Sequence, residues 1–362
     1  MQLLLRKIRH IIRMPYRTIA RRRLMPYWYR MVFRLVFGRW PNADEKHQLA
    51  KSAQQWTPTT LASSFRAVLN LFDQQSHPTA FAVRITPADV QVVEYAGVKI
   101  AIDATDPVIS HDIEHGFYEW HMIALFRRVL RPGMRMVDLG ANIGLFSLLA
   151  AKLVGEEGRV YSIEPRGENV RLLLYSTAIN HFNHIQLLPT AVGANVGYTL
   201  YQTHIGANGG LLGQANAMPD ERVILQPTSQ VVPMTRLDDL VEGPIDVLKL
   251  DIEGAEGMAM RGALELIRRD RPIITSEASM EMLGRVSQMT LRDYLLITRD
   301  LGYRQFVIGR TDGQLTEATD LDQFLTEWPD VLHIEDFVFV PAEKMSLLDT
   351  PEGAALPQAV TE

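Results

Sequence analysis

Three short segments gather residue types able to bind and activate a small polar ligand. The first is Val137-Asp138-Leu139-Gly140-Ala141-Asn142-Ile143-Gly144, where an apolar strand pattern runs into a glycine turn and then an apolar helix. Gly140 can take φ > 0, and without a Cβ it lets a ligand approach the backbone. The helix that follows offers unpaired N–H groups at its start. The spacing is D-x-G-x-x-x-G, not G-x-G-x-x-G. Asn142 stands where a pyrophosphate-binding turn needs its second glycine; it can hydrogen-bond a small zwitterion instead. Read alone, the segment also fits an ordinary strand-to-helix turn.

The second segment ends in Glu164, 24 residues after Gly140. An acid at the end of a second strand can accept both ribose hydroxyls of a nucleoside. A solvated Glu before the turn residue Pro165 is the plainer alternative. The third is Lys249-Leu250-Asp251-Ile252-Glu253-Gly254. Ligands of open α/β sheets sit beyond the carboxyl ends of the strands, so Asp251 and Glu253 are expected to face the same crevice as Asp138 and Glu164. A solvated sheet edge is disfavoured, because Lys249 and Asp251 belong to a segment that reads as buried.

The elements that position these groups follow from hydrophobic period. Apolar runs predict strands at 134–139, 159–164, 185–190, 245–251, 272–277, 304–308 and 336–340. Helical patterns at 143–153, 167–180, 255–269 and 289–301 separate most of them. Such alternation implies an α/β fold with a mostly parallel sheet covered on both faces. Residues 196–232 break the rhythm and read as a hairpin and loop over the sheet. Period-two alternation over 81–103 with Ala96-Gly97 as a turn predicts a β-hairpin. The expected organisation is a basic amphipathic helical arm (1–40), an accessory helical region (41–80), a β-hairpin or cap (81–114), the main domain (115–345) and a flexible tail (346–362).

Composition narrows the function. The chain has no Cys, which excludes disulfides, thiolate metal sites and Cys nucleophiles. No run of about 18 apolar residues suggests a spanning helix, and Arg interrupts the apolar stretches near the N-terminus, unlike a secretory signal. The net charge of −5 is a sum of opposites: residues 1–40 carry 11 basic side chains and no acid, while the other 322 residues carry a net of −16. The arm reads as a peripheral anchor on anionic lipid, as a docking segment for a partner or anionic glycan, or as a helix packed on the acidic body. Nucleic acid is not an expected partner, since the body would repel a polyanion. The expected location is the cytoplasm, with the anchor reading placing the protein at the inner membrane face.

Taken together, Phe117-Tyr118-Glu119, Asp138 to Gly144, Ser162-Ile163-Glu164-Pro165, Asn180, Thr190-Ala191-Val192-Gly193, Thr235-Arg236-Leu237-Asp238, Lys249 to Gly254 and Pro272 to Glu277 resemble the FkbM family of S-adenosylmethionine-dependent methyltransferases. The resemblance spans about residues 110–280. It implies the class I methyltransferase (Rossmann-like) fold, a doubly wound sheet in the order 3-2-1-4-5-7-6 with strand 7 antiparallel. It also implies S-adenosyl-L-methionine as cofactor and O-methylation, often of a sugar hydroxyl in a glycan, glycolipid or related metabolite. Asp138, Gly140, Asn142 and Gly144 are then expected at the methionine end of the cofactor, Glu164 at the ribose, and Thr190, Ala191 and Val192 along the adenine. A poorly nucleophilic hydroxyl benefits from a general base. Asp251 and Glu253 are the candidates, with Lys249 tuning them; His111, His181, His204 and Glu277 stand in reserve, and no metal is included. The alternative is a non-catalytic, membrane- or partner-associated adaptor on the same fold. The oligomeric state is not readable.

Overall fold

The computed structural model describes residues 89–203, 209–212 and 228–349. The chain divides into two compact units, residues 1–81 and 82–362, and the described residues all belong to the second. The basic arm, the accessory helical region, the start of the hairpin segment and the tail beyond residue 349 lie outside them, as does His204. Among the described residues no helix is long and apolar enough to cross a membrane.

Strand β1 (Val90–Tyr95) pairs antiparallel with β2 (Val98–Asp103). Their two-residue turn, Ala96-Gly97, has φ of 52° and 84°, the left-handed pair that matches the twist of a hairpin. Two helices follow, α1 (Ile109–Glu114) and α2 (Trp120–Val129). Strands and helices then alternate: β3 (Arg135–Leu139), α3 (Leu145–Val154), β4 (Arg159–Ile163), α4 (Gly167–Ile179) and β5 (Ile185–Leu188). A small second sheet interrupts, built from β6 (Ala191–Val192), β7 (Gly197–Thr203), β8 (Gly209–Leu211) and β9 (Ser229–Thr235) in the order β6-β9-β7-β8. Alternation resumes with α5 (Leu237–Leu240), β10 (Val247–Leu250), α6 (Glu256–Arg261), α7 (Leu264–Asp270), β11 (Ile273–Ser279), α8 (Met280–Val286) and α9 (Leu291–Arg299). It closes with β12 (Tyr303–Ile308), β13 (Leu315–Glu317), α10 (Leu321–Thr326) and β14 (Ile334–Pro341).

The central sheet runs β13-β12-β14-β11-β10-β3-β4-β5. Strands β5, β4, β3, β10 and β11 are mutually parallel, and β14 is antiparallel to both β11 and β12. Ranked by chain position, and leaving out the edge strand β13, this is the 3-2-1-4-5-7-6 order of a class I methyltransferase. All seven expected strand segments lie in it. The single helix expected over 255–269 is instead two, α6 and α7. The break falls at Gly262, where a Cβ would stand 2.1 Å from the carbonyl oxygen of Gly193; the backbone leading into β7 passes too close for a continuous helix with side chains on that face.

The near-continuous apolar sequence of the strands follows from burial on both faces. Met136, Val160, Val247 and Val338 face α2, α3 and the β1–β2 hairpin. Their neighbours Val137, Tyr161, Leu248 and Phe339 face α6, α7 and α9. Side-chain caps stop and start the polar ends: Ser279 accepts from Met282 N–H, Thr290 from Asp293 N–H, and Asp320 from Asp322 and Gln323 N–H. The carboxyl ends of β3, β4, β10, β11 and β12 share one edge, and the functional side chains collect there.

Candidate active site

The turn after β3 is fixed from two sides. The N–H groups of Gly140 and Ala141 donate to the Ile163 carbonyl at 3.0 and 3.1 Å, which ties the turn to the end of β4. From the other side Asp251 N–H donates to the Leu139 carbonyl at 3.2 Å. Gly140 has φ 78°, and a Cβ there would lie 1.8 Å from the Asp251 carbonyl oxygen. Gly144 has φ 101°, and its Cβ would lie 2.2 Å from Leu173 Cδ1. Gly140 is demanded by sterics as well as by backbone conformation, and Gly144 chiefly by backbone conformation, since the end of the Leu173 side chain can shift. Between them Asn142 also takes a positive φ of 52°, and its Oδ1 accepts from the Ile143 N–H at 2.8 Å.

Glu164 closes this end of the cavity. It is almost fully buried. One carboxylate oxygen accepts from Asn142 N–H at 3.0 Å and the other from Arg166 N–H at 2.8 Å. Burial pushes its proton affinity up to about 7, and those backbone donors hold it from rising further. The Asn169 side chain supplies a third hydrogen bond; a carboxylate can accept about four, so the group keeps some capacity for a ligand.

The turn after β10 supplies the opposite wall. Lys249 is buried, with Nζ 2.9 Å from Asp251 Oδ2, 3.8 Å from Asp138 Oδ1 and 5.0 Å from the Phe146 ring centroid. Burial opposes its charge, but Asp251, Asp138 and Glu119 overcome that and hold it protonated. Glu253 and Gly254 both have positive φ, 56° and 98°. Glu256 steadies the turn by accepting from Ile252 N–H at 2.9 Å. Burial lifts its proton affinity to about 8.

One cavity is lined by Gly140, Asn142, Gly144, Glu164, Thr190, Ala191, Val192, Lys249, Asp251, Glu253 and Glu277. Residues separated by more than 100 positions in sequence therefore meet. Asp138 is the exception among the expected cofactor residues. It does not line the cavity but lies wholly buried beneath it, accepting from Ser147 Oγ at 2.6 Å, with Ser162 Oγ donating on to Ser147 Oγ at 2.7 Å. Oδ2 is taken by that chain of hydroxyls, while Oδ1 has no hydrogen-bond partner and only the Lys249 charge 3.8 Å away, so Asp138 supports the turn from below. Of the reserve residues that are described, Glu277 alone reaches the cavity. His111 pairs with its neighbour Asp112 on α1, and His181 sits beyond the end of α4.

Sequence reasoning gave no role to Tyr118, Glu119 or Tyr201, which also line the cavity. Glu119 is the consequential one. Burial, then the nearby Asp251 charge, push its proton affinity up to about 8, against the pull of Lys249. It precedes the first sheet strand, where the rule that ligands sit at strand ends gives no signal. Its only trace was its place in the Phe117-Tyr118-Glu119 tripeptide. Farther out, Arg310 joins Glu277 and Asp336 at 2.9 Å each, and His121 Nε2 also lies 2.9 Å from Asp336. Among the described residues no group of three His, Asp or Glu is arranged to hold a metal.

Lys249→Met removes the counter-charge of Asp138 while nearly preserving volume. A stability loss of about 2 kcal/mol is expected at pH 8, below the usual cost of breaking a buried pair because Asp138 can take up a proton. Asp138 already has a raised proton affinity, from burial first, with Lys249 opposing it. Without Lys249 that affinity rises further, so the loss should shrink as pH falls and the acid becomes neutral. Urea unfolding at pH 8 and pH 5 measures it; an equal loss at both would exclude this account.

The residues present suit S-adenosylmethionine. An acid at the ribose position, a glycine turn that admits close backbone approach, and carboxylates facing a positively charged donor are the groups that ligand requires. Residues 138–305 match the family model of the methyltransferase FkbM domain. No curated protein matches the sequence. Among solved structures, the methyltransferase FkbM of Methylobacillus flagellatus KT is 17% identical with a TM-score of 0.35, the match covering 61% of this chain and 55% of that one. The chain thus spans about half the length of that relative. A SAM-dependent methyltransferase from Aquifex aeolicus is 14% identical at TM-score 0.33, covering 60% and 88% of the two chains. Aeropyrum pernix fibrillarin, solved with bound S-adenosyl-L-methionine, is 12% identical at TM-score 0.34, covering 72% and 85%.

Proposed function

The chain carries an FkbM methyltransferase domain over residues 138–305, with the sheet of a class I S-adenosylmethionine-dependent methyltransferase, and we propose that it transfers the methyl group to oxygen, on a sugar hydroxyl of a glycan, glycolipid or related metabolite. The observation that carries this reading is the make-up of the cavity lining. Glu164 and the Gly140–Gly144 turn line the same cavity as Lys249, Asp251 and Glu277. The first set suits a nucleoside; the second suits a hydroxyl-bearing acceptor whose proton must leave.

S-adenosylmethionine, when bound, supplies a methyl group already activated by a sulfonium. The protein's own work is alignment and proton removal. Glu164 accepts the ribose hydroxyls, Gly140, Asn142 and Gly144 border the methionine end, and Thr190, Ala191 and Val192 flank the adenine. Lys249, 2.9 Å from Asp251, fixes the position of that carboxylate, and Glu253 and Asp251 offer oxygen atoms to the acceptor's hydroxyls. The excess of carboxylates over cations on this wall favours neutral acceptors over phosphorylated or carboxylated ones.

The test uses the full chain with methyl-labelled S-adenosylmethionine and separated fractions of neutral glycans, glycolipids, protein and RNA. Calorimetry is expected to show cofactor binding, and mass spectrometry a methyl ether on a sugar oxygen. Label found only on protein or RNA would refute the acceptor class. No binding at millimolar cofactor would refute the reading altogether.

A further inference from the structure

We propose that Glu119 is the general base, taking the proton of the acceptor hydroxyl, and that Asp251 positions the hydroxyl from its ion pair with Lys249. This rests on the O-methyl transfer proposed above.

The argument begins with the backbone. Glu119 precedes α2 at φ 43°, ψ 45°, a left-handed conformation. A residue with a Cβ pays about 1–2 kcal/mol for it. Its side chain makes no capping hydrogen bond to the helix it precedes. It thus forgoes the usual gain of a capping position, about 1 kcal/mol. Both local losses go with one arrangement: the Glu119 carboxylate faces the cavity.

The other cavity acids are more heavily committed. Asp251 is 2.9 Å from Lys249 Nζ, and Glu277 is 2.9 Å from Arg310 Nη2. Glu119 shares in no salt bridge among the described residues. The charges that face it are Lys249 and Asp251 at the end of β10, Asp336 on β14 and Arg310 beyond β12; the hydroxyl of its chain neighbour Tyr118 donates a hydrogen bond to its carboxylate, and Tyr95 approaches from β1. Burial and Asp251 raise its proton affinity to about 8, close to the operating range in which a base is effective. Glu277, despite its Arg310 contact, is raised well above the usual carboxylate range by burial and by the nearby Asp251 and Asp336, so it keeps its own proton and is not free to take another.

The step balances. The acceptor oxygen forms its bond to the methyl carbon, the carbon–sulfur pair stays on sulfur, and the hydroxyl proton goes to a Glu119 oxygen. One positive and one negative charge vanish together, so the net charge of the site does not change. The proton then leaves to solvent through the open side of the cavity.

The test compares the full chain with Glu119→Gln, using methyl-labelled S-adenosylmethionine and a neutral glycan or glycolipid fraction that the wild type labels. Transfer is expected to fall by about 10²- to 10⁴-fold, with cofactor affinity by calorimetry unchanged within about twofold. The wild-type rate should rise with pH through about 8, and the variant should lose that limb. Independently of any acceptor, infrared titration should show one carboxyl fewer ionising near pH 8 in the variant than in the wild-type chain, where Glu256 also titrates in that range. A variant with wild-type rate and pH profile, or an unchanged carboxyl titration, overturns the assignment to Glu119. If the wild type labels no hydroxyl-bearing fraction while the infrared difference appears, O-methyl transfer fails instead, and the base assignment with it.

Discussion

Substituting Ala for Gly140 is expected to destabilise the protein by about 3–5 kcal/mol and to abolish S-adenosylmethionine binding. Two separate costs add. The backbone at φ 78° disfavours any residue with a Cβ, and that Cβ would stand 1.8 Å from the Asp251 carbonyl oxygen. The atom in the way is main chain, so no side-chain rotation relieves the clash. Either β3 and β10 separate at their carboxyl ends or the turn changes conformation, and both remove the cofactor wall. Thermal unfolding should fall by about 10 °C for a domain of this size, and calorimetry should register no binding. A variant that binds normally would mean that the turn tolerates a displacement its three flanking hydrogen bonds do not suggest.

Glu164→Gln is expected to weaken S-adenosylmethionine binding by about 100-fold, the loss of charge-assisted hydrogen bonds to a diol, while making the cofactor-free protein more stable at pH 8. The opposite signs follow from proton linkage. The folded carboxyl has its proton affinity raised to about 7 by burial, above the ordinary Glu value. Between those two values the folded state binds more protons than the unfolded state, so stability falls as pH rises, and the full penalty is present above 7. Gln carries no charge and escapes it, for a gain on the order of 1 kcal/mol at pH 8 after allowing for a weaker backbone hydrogen bond. Below about pH 5 the advantage should vanish. Wild-type affinity should rise with pH through 7, because the ionised carboxylate is the better acceptor; the variant's should be flat. Calorimetry and melting curves at pH 5, 6, 7 and 8 separate these outcomes, and a variant that follows the wild-type pH dependence would remove Glu164 from the ribose site.

What could be read from sequence followed from period and strand ends. The seven strand segments were legible because strands buried on both faces leave continuous apolar runs. Gly140, Glu164 and Asp251 were legible because each ends such a run, and one edge of a parallel sheet collects them. Asp138 shows the limit of that rule. It lies within the strand, not at its end, and its burial depends on Ser147 and Lys249, which only three-dimensional packing brings to it. Glu119 escaped for the opposite reason: it belongs to no sheet strand, and its significance lies in a left-handed backbone that side-chain pattern does not encode. The division of 255–269 into two helices was illegible because its cause, the Gly193 backbone, lies some 70 residues upstream in the chain.

The contact between Gly140 and the backbone of Asp251 also has a temporal meaning. The cofactor turn is encoded early in the domain, but one of the surfaces that shapes it arrives 111 residues later. A growing chain that has completed β3, α3 and β4 already contains Gly140, Asn142 and Glu164, yet lacks the strand that fixes their turn. Such non-local closure is slow relative to local helix formation. The cofactor would therefore recognise only a chain whose β10 has docked, and its binding would act late in folding, by stabilising the completed sheet and not by nucleating it.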